Sequence, residues 1–238
     1  MNIRYEFLNF LKTPDSWEFT GKYDFPVIDG YRVQNSFVPD YVEFNEAYRV
    51  PKEQRKNKIV QFFIRDYLFE RVWTKPNQTA KFLSGFKAVL MPDFSRYTDM
   101  PLAMQIWNCY RKMWVSRYWY DYDIKVIPTA GWSDERSYDF CFDGMPKHST
   151  VAVSSLGTQS DTEAKKLFYL GYNRMLEVLE PYNILFYGKI PEWLDKNTVI
   201  HTPHSRDVRF KAMREAKKLK EVSIHKINKK DKNLLENK

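Results

Sequence analysis

Residues able to do chemistry in this sequence gather just after short apolar runs. The densest group is GWSDERSYDFCFDG, residues 131–144, where Asp134, Glu135, Asp139 and Asp143 surround Arg136. Carboxylates gathered in a cleft can bind Mg²⁺ or move protons as general acid and base. With Asp93, which follows an earlier run, Asp134, Glu135 and Arg136 form the candidate catalytic set. The same segment also reads as a helix start, with Ser133 as cap and Asp134 and Glu135 favouring the dipole. A second group, VSSLGTQS, places small residues before an S-x-x-E capping signature at Ser160 and Glu163. Its backbone amides could hold a phosphate, so Ser154, Ser155 and Gly157, with Lys189 beyond the next run, are candidate ligand-binding residues.

Other motifs carry less. His201 and His204 have a spacing that could bring two imidazoles to one metal, but Pro203 lies between them and no third ligand is near. They read as polar residues of a turn, and no metal site is expected. Cys109 and Cys141 lack a CxxC partner and read as buried structural thiols. No Walker A, GxGxxG, GxSxG or HExxH pattern occurs, so the sequence names no cofactor.

The elements that must position these residues follow from periodicity. Five apolar runs, at 87–94, 124–132, 150–157, 183–190 and 198–204, alternate with helical patterns. The first helix of that series has Thr98 or Asp99 as cap, Pro101 in its first turn, and an apolar face of Leu102, Ile106, Cys109, Tyr110, Met113 and Trp114. The next uses Ala164, Leu167, Phe168, Gly171, Met175 and Leu179. Apolar strands separated by helices indicate an α/β fold, a mostly parallel sheet with flanking helices. Both an open sheet and an irregular β/α barrel fit. In either, ligands sit beyond the carboxyl ends of the strands, so the polar residues after each run should share one rim.

Upstream, Pro14, Pro26, Pro39 and Pro51 punctuate an irregular segment of short strands and loops, with a strand and turn at 26–33. A helix is expected from Pro51 to near Trp73, carried by Ile59, Phe62, Phe63 and Tyr67, followed by a loop at TKPNQT. The organisation is thus one α/β domain over 1–205, its first 50 or so residues an extension, and a basic helix and tail over 206–238.

Composition limits the function classes. The net charge is +8, and residues 206–238 hold 12 Lys and Arg against 5 Asp and Glu, so nearly all the excess lies there. A basic segment of this kind attracts phosphate backbones, with Arg214, Lys217, Lys218 and Lys220 as candidate nucleic-acid contacts. It reads equally as a solubilising tail. No apolar run nears the roughly 18 residues of a membrane span, no signal peptide is evident, and two cysteines make no disulfide framework. A cytoplasmic protein without membrane association is expected. Aromatics form 17% of the chain, which serves a core and a stacking site equally well.

The pieces PDFS-x-Y-x-DMPL, W-SDERS-x-DFCFDG and V-S-x-x-G, within residues 85–195, resemble an uncharacterised domain-of-unknown-function family of bacteriophages, prophages and mobile elements. The resemblance implies a phage or mobile-element origin, hence the cytoplasm of a host cell, and carries no catalytic residue. With the basic tail, it points first to nucleic-acid association in replication or host conflict. The alternatives are an enzyme acting on a nucleotide- or sugar-like molecule at the rim, and a binder of a host protein such as a defence component. The sequence leaves the oligomeric state open.

Overall fold

The computed structural model of the protein describes residues 9–205. The chain divides into two compact units, 1–202 and 203–238; the fold below belongs to the first. The expected basic helix and tail, with Arg214, Lys217, Lys218 and Lys220, lie outside the described residues.

A small antiparallel pair, β1 (Phe19–Thr20) with β2 (Phe25–Pro26), precedes the main sheet. Among the described residues seven parallel strands follow: β3 (Tyr41–Glu43), β4 (Ile59–Gln61), β5 (Ala88–Leu90), β6 (Val126–Ile127), β7 (Thr150–Ser154), β8 (Asn183–Tyr187) and β9 (Ile200–Thr202). Each pairs with its sequence neighbour, in a ladder from β3 to β6 and another from β7 to β9. One parallel bridge, Thr129 with Ala152, joins the two ladders. All five apolar runs after residue 87 therefore supply strands of a parallel arrangement.

Side-chain alternation decides between open sheet and barrel. Ile59, Ala88, Leu90, Ile127, Ala152, Leu185 and Tyr187 meet in one buried cluster. Their strand neighbours Val60, Val89, Val126, Val151, Val153, Ile184 and Phe186 belong to a second cluster with the helices. Period-two alternation sends successive side chains to opposite faces, and inner residues from β4 to β8 touch only if the sheet rolls around them. The Tyr41 ring of β3 meets Tyr187 of β8 edge-on at 5.9 Å, and Phe63 stacks on Tyr187 at 5.2 Å. The parallel ladders thus curl around this cluster, flanked by helices, and do not form a closed barrel: among the described residues no ladder joins β3 to β9.

Among the described residues there are five α-helices: α1 (Lys52–Arg55), α2 (Arg71–Thr74), α3 (Pro76–Leu83), α4 (Leu102–Tyr120) and α5 (Thr162–Leu179). Helix α4 crosses from β5 to β6 and α5 from β7 to β8. The connection from β6 to β7 holds only a 3-10 turn, Glu135–Ser137. Two expectations fail here. The helix expected from 51 to 73 is α1, then β4, then α2, because Ile59, Val60, Phe62 and Phe63 are buried on both faces of the sheet. The expected loop at TKPNQT instead starts α3, with Pro76 in its first turn, where a missing N–H costs nothing.

The aromatic content goes largely to the layer between α4 and the sheet. Trp114 and Trp119 are fully buried, Trp17 packs on Trp114 at 5.7 Å, and Phe62 stacks on Trp119 at 5.7 Å. The irregular segment near residue 30 seals the amino end of β7 and β8. The Tyr31 amide donates to Ser149 Oγ at 2.9 Å, the Val33 amide to Thr150 Oγ1 at 2.9 Å, and Asn183 Nδ2 to the Val33 carbonyl at 2.8 Å.

Candidate functional site

The segment near residue 30 covers the starts of β7 and β8, a cavity lined by Gly30, Tyr31, Tyr120 and Lys125 lies beside the start of β6, and the candidate residues gather at the carboxyl end. Strand β5 runs out into Met91-Pro92-Asp93, where the Asp93 carboxylate meets Arg96 Nη2 at 3.1 Å. The Arg96 side chain is only 3% exposed, and its Nη1 lies 3.9 Å from Cys109 Sγ on α4. Its Nε has no hydrogen-bond partner. Beside it, Lys112 of α4 is fully buried and donates to the Thr129 carbonyl, just past β6, at 3.1 Å. The buried Thr129 hydroxyl is likewise without a partner. Gly131 completes the cluster: a Cβ there would stand 2.2 Å from Arg96 Nη2 and 3.2 Å from Asp93 Oδ1.

Burial dominates the electrostatics. It lowers the Lys112 ammonium to about 8, with the like charge of Arg96 acting in the same direction. It raises the Asp93 carboxyl, opposed by Arg96 and Lys112 and reinforced by Asp66. The Asp93 side chain is nevertheless 30% exposed, so this corner of the cluster reaches solvent. Burial also pushes the Cys141 thiol up to about 12, the mark of an unreactive structural cysteine. Two cations thus face one carboxylate in low-dielectric surroundings.

A polar stripe on α4 holds the rim loops in place. Gln105 Nε2 donates to the Tyr97 and Met100 carbonyls, at 3.1 and 3.0 Å, and Asn108 Nδ2 to the Ser95 carbonyl at 2.6 Å. The Ser95 amide and hydroxyl donate to Asp66, after β4, at 3.0 and 2.8 Å. Ser133, after β6, donates to Gln105 Oε1 at 2.6 Å. Loops following three strands are thereby tied to one helix.

The candidate residues separate into three fates. Asp93 lies in the cluster. Asp134 caps the 3-10 turn, accepting from the Arg136 amide at 3.1 Å and from Arg136 Nη2 at 2.7 Å, and these bonds hold its carboxyl below the usual range. Arg136 also donates to the Thr98 carbonyl at 2.9 Å, so this turn touches the loop that carries Asp93, while Glu135 is exposed. Asp143 packs instead on the turn at Gly21, remote in chain from the rest of the acidic stretch. After β7 and β8, Ser155 Oγ donates to the Lys189 carbonyl at 2.8 Å and Ser154 Oγ accepts from the Leu156 amide at 3.2 Å. Gly157 adopts a positive φ with open space around it, and the Lys189 side chain is exposed. The cap of α5 is Asp161, not the expected Ser160: its carboxylate accepts from the Ala164 amide at 2.8 Å. Aspartate both bonds the amide and favours the dipole. His201 Nε2 pairs with the Gly188 carbonyl at 2.7 Å. Among the described residues no three His, Cys, Asp or Glu side chains gather as a metal would require, and no helix is long and apolar enough to cross a membrane.

Arg96, Lys112 and Asp66 were not among the sequence candidates. Gln105, Asn108, Lys112 and Ser116 recur every three or four residues along a buried face of α4 beside the one that the apolar pattern marks, and their polar types hide that burial from the sequence.

The family described as "Domain of unknown function (DUF4417)" matches residues 17–204, a wider span than the motifs that first suggested a phage family. The Gene 1 protein of Mycobacterium phage L5 is 35% identical over 191 residues, covering 79% of this chain and 79% of that protein. The Gene 1 protein of Mycobacterium phage D29 is 35% identical over 189 residues, covering 74% and 70%. No solved structure matches the chain significantly. On this coverage and identity, the chain belongs to the DUF4417 family of domains of unknown function, with relatives in mycobacteriophages.

Proposed function

We propose that this phage-type protein acts inside the host cell on a small phosphate-bearing molecule, of nucleotide or sugar type, at the carboxyl end of its rolled sheet. The observation that supports this reading is the imbalance of the cluster. Arg96 is buried with an unbonded Nε, and the fully buried Lys112 has a single acceptor in the Thr129 carbonyl. Buried donors without acceptors are costly, and an anion entering beside Asp93 would satisfy both. Arg96 and Lys112 would hold the anion, and Asp93, partly exposed and raised in pKa, is the group placed to move a proton. Calorimetric titration with inorganic phosphate and pyrophosphate at low salt tests the reading. Saturable binding is expected in the wild type, retained in part by Arg96→Lys and lost in Arg96→Met. A wild-type protein that binds neither anion at millimolar concentration removes the site.

A second reading rests on the charge of residues 206–238, with Arg214, Lys217, Lys218 and Lys220 on phosphate backbones. Titration against single- and double-stranded DNA at several salt concentrations, with a variant ending at residue 205, tests it. Undiminished affinity in the shortened protein would sink it.

A further inference from the structure

Two tyrosines stand exposed nearby, one on the loop that carries Asp93 and Arg96 and one on the Asp66 segment bonded to that loop. Tyr67 is 70% exposed and follows Asp66; Tyr97 is 61% exposed and follows Arg96. Among the described residues these two are the most exposed aromatic side chains, ahead of Tyr182 and Trp107. Their loops are joined at close range. Ser95 Oγ lies 2.8 Å from Asp66 Oδ1 and 3.2 Å from the Tyr97 hydroxyl, so that hydroxyl sits beside the Asp66–Ser95 contact. Asp66 in turn lies near enough to Asp93 to disfavour its charge. Arg96 is thus buried and Asp93 partly exposed, and the residues that follow Asp66 and Arg96 in the chain are exposed tyrosines.

We infer that the ligand of this rim is a nucleoside 5′-phosphate moiety, with its phosphate toward Arg96 and Lys112 and its base stacked on Tyr97, and Tyr67 lining the same edge. The inference rests on the anion reading above and adds the base to it. A flat π-face is the ligand chemistry that an exposed tyrosine ring recognises without a hydrogen-bond code, so the site should tolerate different bases. A sugar phosphate could use the cations and would leave both rings idle. A free nucleotide and the 5′-phosphorylated end of a single strand present the same moiety.

Competition binding with adenosine 5′-monophosphate, thymidine 5′-monophosphate and ribose 5-phosphate on the full chain tests this. Both nucleotides should bind roughly ten- to a hundredfold tighter than ribose 5-phosphate, the range expected for one stacked base. Tyr97→Ala should erase most of that advantage, while Tyr97→Phe, which loses the hydroxyl near Ser95 and keeps the ring, should preserve it. Tyr97 is exposed, so neither variant threatens the core; Tyr67→Ala is the second probe. Equal affinity for ribose 5-phosphate and the nucleotides would overturn the inference and leave the anion site standing. So would a nucleotide advantage that survives both alanine variants. Failure of all three compounds and of inorganic phosphate would remove both readings. A 5′-phosphorylated oligonucleotide then assigns the source: binding at least as tight as the mononucleotide identifies a strand end, and exclusion identifies the free nucleotide, both upholding the base-and-phosphate site.

Discussion

The two halves of the carboxyl rim treat their polar groups in opposite ways. After β7 and β8, each hydroxyl named above is bonded locally: Ser155 to the Lys189 carbonyl, Ser154 to the Leu156 amide, and the start of α5 to Asp161. After β5 and β6, the loops are pinned by Gln105, Asn108 and Ser133, yet Arg96 Nε and the Thr129 hydroxyl are buried without partners. Both halves look alike in sequence, with small and polar residues after an apolar run. Hydrogen-bond accounting separates them: a turn that satisfies itself is structure, and a pinned loop that leaves buried donors unsatisfied keeps bonding capacity for a ligand's acceptors.

The sharpest way to break that contrast is through Lys112. Its ammonium titrates near 8 in the folded chain and near 10.5 when unfolded. Between those values the unfolded state holds more protons, so stability should rise with pH above 8 and stay flat below it. By pH 9.5, before tyrosine ionisation intrudes, the gain should be on the order of 2 kcal/mol. Urea unfolding from pH 7 to 9.5 measures it. Lys112→Met should abolish the slope and be at least as stable as the wild type at pH 7. A wild-type slope of zero would mean that the charge is already compensated.

Next in size is Gly131→Ala. The new Cβ would stand 2.2 Å from Arg96 Nη2 and must displace it. A stability loss of about 1–3 kcal/mol is expected from overpacking, together with loss of phosphate binding. Gly157→Ala, at a positive φ of 74° in open space, should cost only about 1 kcal/mol of backbone strain and leave phosphate binding intact. Equal effects on binding would erase the difference between the two halves. Ser155→Ala removes one buried hydrogen bond and should cost about 1 kcal/mol, again without touching phosphate affinity. The smallest effect belongs to Asp134→Asn with Glu135→Gln. Asparagine caps as well as aspartate, so the melting temperature should stay within about 2 °C. Lost phosphate binding in that folded double variant would return the acidic turn to the site.

The strands from β5 onward were legible because each is a short apolar run bounded by turn residues, and the pattern survives burial on both faces. Strand β4 was not, for the same reason: with Ile59, Phe62 and Phe63 all buried, their three- and four-residue spacing imitates a helix face. The rolled sheet could not be read either, since inner and outer strand faces are equally apolar until the contacts among Ala88, Ala152 and Tyr187 are known. Of the site, Asp93 was visible by its place after a run. Arg96 and Lys112 were hidden because a charged residue normally marks solvent, and only packing shows that these two are inside.

The join between the ladders has a dynamic consequence. From β6 to β7 the sheet is held by Thr129 beside Ala152, with the Ala130 amide on the Ala152 carbonyl at 2.9 Å and the Ala152 amide on the Pro128 carbonyl at 2.7 Å. No α-helix braces that crossover. So short a seam should open at a lower free energy than either ladder, and the amides of Ala130 and Ala152 should exchange with deuterium before those of β5 or β8. Thr129 belongs both to the seam and to the cationic cluster, and Gly131 of the cluster follows the seam residue Ala130. An anion bound there would act as a clasp, and slower exchange at Ala130 and Ala152 on adding phosphate would report it from inside the sheet.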